Sequence, residues 1–211
     1  AGYGALVVTV DTPILGRRLA DLRNGFTLPP GLTMANFDEA SGPSIPGESD
    51  LLRRVAARHD AAFCWADLDW LRSLSPLPII LKGILRADDA ARAVEHGVGA
   101  IIVSNHGGRQ LDGAPGTLDA LPDVVAAAAD RCQVLIDGGL RSGSDIFTAL
   151  ALGARAVLLG RPVLWGLTVG GREGVARVLA HLRGDLSDIM ALAGCARLAD
   201  ITPDMVRRVP R

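Results

Sequence analysis

Five short apolar runs punctuate the chain: Ala5–Val10, Pro78–Lys82, Ala100–Ser104, Gln133–Asp137 and Ala156–Leu159. They are apolar almost throughout rather than alternating, which is how strands of a parallel sheet covered on both faces read. Between the last four lie segments with apolar positions at helical spacing, Ala87–Glu95, Leu118–Ala129 and Ser142–Leu152. Ser142 is placed as an N-cap, because its short side chain can accept from a free amide of the first turn. Strict alternation of strand and helix predicts a parallel α/β sheet. Units this short and regular favour a (β/α)8 barrel over a doubly wound sheet.

Three stretches repeat one another: Ala1–Val8 (AGYGALVV), His96–Val103 (HGVGAIIV) and Leu152–Leu159 (LGARAVLL). Each reads as a glycine closing a helix, a short link and an apolar strand. By that pattern the first residues are the tail of a helix. Five strands do not close an eight-stranded barrel. Residues 1–211 are therefore expected to be the C-terminal part of a single, longer barrel domain, or a chain that has lost its N-terminal part. The long connection 12–77 reads as a lid, with a Gly-, Pro- and Ser-rich middle, Pro29–Ser49. Helical spacing returns at Glu48–His59 and Trp65–Leu74. After the last strand, Pro162–Leu167, Arg172–Leu182, Leu186–Leu192 and Asp204–Arg208 read as outer helices.

Composition narrows the function without naming it. A net charge of −1 and scattered basic residues give no electrostatic footprint for nucleic acid. No apolar run reaches the length of a membrane span. The connection lacks the sustained apolar face of a membrane-docked helix, so a soluble, cytoplasmic protein is expected. Cys64, Cys132 and Cys195 have no metal-ligand spacing and read as small buried or half-buried residues. No metal site is expected.

Chemistry gathers where the strands end, and C-terminal strand ends are where parallel α/β proteins keep their sites. The first strand ends in Thr9-Val10-Asp11, followed by Gly16-Arg17-Arg18. The second ends in Lys82-Gly83. The third runs into Ser104-Asn105-His106-Gly107-Gly108-Arg109. The fourth ends in Asp137-Gly138-Gly139 with Arg141, and the fifth in Gly160-Arg161. His106 can take a proton near neutral pH. Arg109 can grip a carboxylate through two parallel hydrogen bonds. Asp-Gly-Gly-x-Arg-Ser before a helix, then Gly-Arg at the next strand end, suits a phosphate, because backbone amides and a helix N-terminus supply positive potential. Asp137 would repel a phosphate, and accepts hydroxyls better. A ligand with both a polyol and a phosphate fits, FMN or a phosphorylated sugar.

With these residues in place, the chain resembles the FMN-dependent α-hydroxy-acid oxidases and dehydrogenases, the group of glycolate, lactate and mandelate oxidases. The matching motifs are VTVDTPILGRRLADLRNGF (Val8–Phe26), LPIILKGI (Leu77–Ile84), SNHGGRQLDG (Ser104–Gly113), IDGGLRSGSDI (Ile136–Ile146) and LLGRP (Leu158–Pro162). The resemblance implies an eight-stranded, FMN-binding TIM barrel, with this chain corresponding to strands four to eight, that oxidises an L-2-hydroxy acid to the 2-oxo acid. It implies His106 as the active-site base, oriented by Asp11, and Arg18 with Arg109 on the substrate carboxylate. It also implies Lys82, Thr9 and Ser104 beside the flavin ring, with Lys82 stabilising the reduced ring's charge. Asp137 falls on the ribityl hydroxyls, and Gly139, Arg141, Gly160 and Arg161 on the phosphate. Oxygen or another acceptor, and a homo-oligomer (a tetramer in the family), follow from the same resemblance. Family members also use aromatic and hydroxyl residues from the first three strands, and the single tyrosine here, Tyr3, cannot stand in for them. Weak FMN binding by the isolated chain is therefore expected. Two other readings stand: a non-catalytic half-barrel that needs its missing half, and another FMN barrel such as flavin-dependent isopentenyl diphosphate isomerase.

Overall fold

The computed structural model describes residues 2–32, 57 and 59–208. Among them, one five-stranded parallel sheet runs in sequence order: β1 (Leu6–Thr9), β2 (Ile79–Ile84), β3 (Ala100–Val103), β4 (Gln133–Ile136) and β5 (Ala156–Val157). Helices α1 (Leu19–Arg23) and α2 (Asp67–Leu74) lie between β1 and β2. α3 (Ala87–Glu95), α4 (Thr117–Ala128) and α5 (Gly143–Ala151) each bridge successive strands, and α6 (Arg161–Leu192) follows β5. Every strand pairs in parallel with the next, which is the wall of a barrel rather than a doubly wound sheet.

The period-two alternation of the strands divides the side chains between two faces. On the helix-covered face, Leu81, Ile101, Val103 and Ile136 are buried against Ala90, Ala93, Leu121 and Val124. Each such side chain contributes roughly 1.5–3 kcal/mol on burial. Alanines on α3 and α4 let the helices pack closely on the sheet. The other face would be the inside of a barrel. There Val7 is 53% exposed, because five strands curve without closing.

Local chemistry explains the boundaries. Ser142 Oγ accepts from Asp145 N, while Asp145 Oδ2 accepts from Ser142 N, a capping box that starts α5 where it was expected. α2 docks on the C-terminal end of α3: the Trp65 ring before it stacks on His96 and lies under Arg92, and the Arg72 guanidinium donates to the His96 carbonyl. α6 is two helical legs broken at Gly170 and Gly171, whose φ/ψ are non-helical. The legs meet backbone to backbone, because a Cβ on Gly166 would lie 2.8 Å from the Gly174 carbonyl oxygen. A Cβ on Gly143, at the start of α5, would collide with the backbone at Asp185 and Leu186 of the second leg.

Several expectations change. The expected helix Glu48–His59, apart from Ala57 and His59, and the Pro29–Ser49 segment beyond Leu32 lie outside the described residues. Gly2, at φ 77°, shares the left-handed conformation of Gly97 and Gly153, the glycines that follow α3 and α5 in the two other repeats. Arg172–Leu182 and Leu186–Leu192 are one continuous helix, since Gly184 and its neighbours keep helical geometry. Asp204–Arg208 is only a short 3-10 turn, Pro203–Met205, because proline starts it without committing it to an α-helix. α1 was not anticipated. β5 is two residues long rather than four. Cys64 is exposed instead of buried, since it leads into α2, where its amide donates to Asp67 Oδ2.

α4 ends on Ala129, an exposed alanine at φ 48° in the left-handed region. A Cβ is unfavourable there and buries nothing in return. Ala129→Gly should therefore raise the unfolding free energy by about 1 kcal/mol, read from urea titration.

Candidate active site

The polar residues at the strand ends form one connected network. Val10 N donates to the Lys82 carbonyl and carries β1 alongside β2 as far as Asp11. The pairing of β2 with β3 slips between Lys82 and Ile84, a bulge centred on Gly83 at φ 114°. A Cβ on Gly83 would stand 2.7 Å from Asp11 Cβ and 2.8 Å from Asp11 N. The missing side chain is what lets Asp11 lie across the end of β2. From there its Oδ1 is 3.0 Å from His106 Nδ1.

His106 leaves β3 through a tight turn. His106, Gly107 and Gly108 all have positive φ, at 56°, 66° and 73°. For a histidine that conformation is strained, and it persists only when neighbours hold it. Ser104 Oγ accepts from His106 N at 3.1 Å, and Asn105 Oδ1 accepts from Gly108 N at 3.2 Å. Asn105 Nδ2 donates in turn to the Pro115 carbonyl. Ser104 is fully buried and also accepts from Lys82 Nζ at 2.9 Å. Lys82 Nζ reaches Asp137 Oδ2 at 3.1 Å. Asp11, His106, Ser104, Lys82 and Asp137 are thus linked in one chain across the ends of β1 to β4.

Lys82, His106 and Arg109 line the same hollow, of about 540 Å³, with Asp137, Gly139, Arg141, Gly160 and Arg161. The expected convergence on one rim is what the structure shows. Arg18 comes up beside Arg109. Its guanidinium is pushed below the ordinary arginine range, first by burial and then by the Arg109 charge, with Asp21 partly opposing. Arg18 Nε is buried without a hydrogen-bond partner among the described residues. Two adjacent cations, one partly desolvated, make a strong site for a carboxylate.

The opposite end of the hollow is built from two helix starts. α5 begins behind Gly138 and Gly139, both at positive φ, and α6 begins at Arg161 after Gly160. Arg141 lies over the Trp165 ring at 4.9 Å and donates to the Leu140 carbonyl. Arg161 lines the hollow but donates through Nη2 to the Gly107 carbonyl at 2.9 Å. Thr9 pairs in register with Lys82, yet it lines a separate hollow of about 700 Å³ with Val8, Val10 and Phe63. Gln110, Asn105 and Trp165 hold this site together and were not singled out from sequence. Gln110 and Asn105 stand inside the SNHGGRQLDG motif, which gave neither a role of its own.

The chain matches the FMN-dependent dehydrogenase family over residues 1–208. It belongs to that family. It is 60% identical over 204 residues to an L-lactate oxidase of Nostoc sp., covering 95% of this chain and 56% of that protein. It is 50% identical over 214 residues to human 2-hydroxyacid oxidase 1, covering 99% and 58%. Among solved structures, mandelate oxidase with (S)-4-hydroxymandelic acid superposes with a TM-score of 0.87 at 47% identity, covering 96% of this chain and 57% of the other. A mandelate oxidase mutant holding an FMN adduct gives 0.82 at 46%, covering 96% and 55%. The chain therefore spans little more than half the length of the relatives it matches, and its sheet is part of a TIM barrel.

The residues present fit the family's FMN. Asp137 Oδ1 is buried with no hydrogen-bond partner among the described residues, as an acceptor for a ligand hydroxyl would be. Two helix starts, Arg141 and Arg161 give the far end the potential a phosphate requires. Lys82, which reaches both Asp137 and Ser104, supplies a cation at the same rim.

The Gly83 bulge generates the first test of this geometry. Gly83→Ala places a Cβ into Asp11 at a φ that side chains avoid, so stability should fall by at least about 2 kcal/mol. The Asp11–His106 hydrogen bond should be lost with it, read from the Nδ1 proton resonance of His106.

Proposed function

We propose that this chain forms the C-terminal five strands of an FMN-binding barrel that oxidises an L-2-hydroxy acid to the 2-oxo acid. The observation that carries the reading is the convergence of His106, Arg109 and Lys82 on one hollow with a buried carboxylate, Asp137, beyond them. When bound, FMN supplies a two-electron acceptor. The chain's own residues do the rest.

Arg18 and Arg109 bind the substrate carboxylate, and two charge-assisted contacts fix which face of the α-carbon meets the flavin. His106 Nδ1 donates to Asp11, so Nε2 carries the free lone pair and receives the substrate proton. Asp11 opposes the imidazolium charge and fixes the ring orientation. Ser104 and Asp137 hold the Lys82 ammonium group in place, where it would lie beside the flavin ring and offset negative charge on it. Thr9, in register with Lys82, would approach the ring from β1, whereas the fully buried Ser104 acts through Lys82 and His106. Asp137 takes the ribityl hydroxyls, and Gly139, Arg141, Gly160 and Arg161 take the phosphate. An isomerase acting on a diphosphate would use the far end of the hollow but leave the Arg18–Arg109 pair without a function.

Substrates of lactate, glycolate or mandelate type fit this clamp, and the likeness to an L-lactate oxidase favours a small one. Oxygen, or another acceptor, would take up the electrons. A cytoplasmic homo-oligomer belongs to the same reading. No helix among the described residues is long and apolar enough to cross a membrane.

Anaerobic mixing of the complete barrel with a panel of L-2-hydroxy acids should bleach the flavin, and admitting air tests oxygen as acceptor. No bleaching by any of them would remove the reading. His106→Ala should slow reduction by about 10²- to 10⁴-fold while the flavin stays bound. Arg109→Met should raise the KM for the hydroxy acid by about ten- to a hundredfold, the loss expected for hydrogen bonds to a charged group.

A further inference from the structure

Gln110 follows Arg109 yet does not line the hollow. Its side-chain amide is nonetheless almost fully used. Nε2 donates to the Asp11 carbonyl and to the Ile14 carbonyl, both at 2.9 Å. Oε1 accepts from Gly16 N at 3.1 Å. All three partners belong to one stretch, residues 11–16, more than ninety positions away along the chain. The approach is close enough to exclude a side chain at Gly16, where a Cβ would collide with the Arg109 carbonyl oxygen and stand 2.8 Å from Gln110 Cα.

What the stretch carries gives the contact its meaning. Asp11, at one end, bonds His106. Arg18 follows two residues after the other end, with its Nε buried and unpartnered among the described residues and its charge beside that of Arg109. Two guanidinium groups repel, so something must hold the segments that carry them together. The Gln110 amide joins backbone to side chain on both sides of that gap, with neutral groups that add no charge to the carboxylate site.

We propose that Gln110 is a positioning residue: it clasps residues 11–16 onto the His106–Arg109 turn and so sets Arg18 against Arg109 and Asp11 against His106. The functional half of this rests on the reading of the site as a 2-hydroxy-acid oxidase. The clasp itself does not.

Hydrogen exchange on the 211-residue chain tests the clasp with no ligand present. In Gln110→Ala the amide of Gly16 should exchange about tenfold faster or more, and those of β2, β3 and β4 should not change. Gln110→Glu keeps the acceptor for Gly16 N but turns a carboxylate oxygen on the Asp11 and Ile14 carbonyls, and that repulsion should keep the loop from regaining its protection. Gly16→Ala forces the loop away from the other side and should give the same pattern, which keeps the test open if a Gln110 variant folds poorly. In the complete barrel with FMN, Gln110→Ala should raise the KM for the hydroxy acid by about tenfold. It should also slow flavin reduction by about a hundredfold, the scale of a small misplacement of reacting groups. Flavin affinity should stay as in the parent, because no flavin-contacting residue is altered.

Unchanged exchange at Gly16 in both Gln110→Ala and Gly16→Ala overturns the clasp. Faster exchange with parental KM and reduction rate overturns the positioning role, leaving a loop fastening alone. A parent barrel that no 2-hydroxy acid reduces defeats the functional reading and the positioning role with it, while the exchange result still decides the clasp.

Discussion

The carboxylate of Asp11 laid across Gly83 is the contact from which the site is assembled. It requires a backbone with no Cβ, a bulge in β2 and a strand β1 that runs one residue past its own ladder. Those conditions deliver the side chain of one strand end to the histidine of another, passing over the strand between them. Without that crossing, His106 would sit in a left-handed turn with no acidic partner. The turn is strained, and strain at a reacting group survives only when the surroundings fix it.

The division of the sheet into two faces keeps this affordable in physical terms. The face toward α3 and α4 is apolar, tightly filled and free of charge at its centre. It carries the stability that polar strand ends cannot provide. The charged groups are confined to the rim, and there the carboxylates are partnered: Asp11 by the His106 ring, Asp137 by the Lys82 ammonium. Arg18 and Arg109 stand outside this pairing, which is why they remain available to an anion. A half-buried ammonium between a serine hydroxyl and a carboxylate is also a group whose position is well defined, and positional definition is what electrostatic stabilisation of a charge needs.

Much of this was written in the order of residues. The apolar runs broke into polar residues at Asp11, Lys82, His106, Asp137 and Arg161, and those breaks located the rim because parallel strands put their chemistry at one end. α3 was legible to the residue from its spacing, and Ser142 announced α5 as a cap. The second leg of α6 was harder, since Gly184 suggests a stop but a long amphipathic helix tolerates a single exposed glycine. Gln110 could not be read because its partners are carbonyl and amide groups, which every residue possesses and no sequence marks. The hold of Arg161 on the Gly107 carbonyl was hidden for the same reason. The bulge at Gly83 was hidden differently: it depends on which residue of β1 arrives opposite it, and register is fixed only once the sheet forms.

The glycines at 143, 166 and 174 never touch the hollow, yet they govern its width. Gly166 and Gly174 cross the two legs of α6 at bare backbone, and Gly143 seats the second leg on the first turn of α5. The two helix starts facing the far end of the hollow are therefore spaced by a triangle of main-chain contacts, in the manner of a truss whose joints lie behind the load. Mutational surveys confined to residues in reach of a ligand would pass over all three. A methyl group at any of them would be felt by an anion that it never meets.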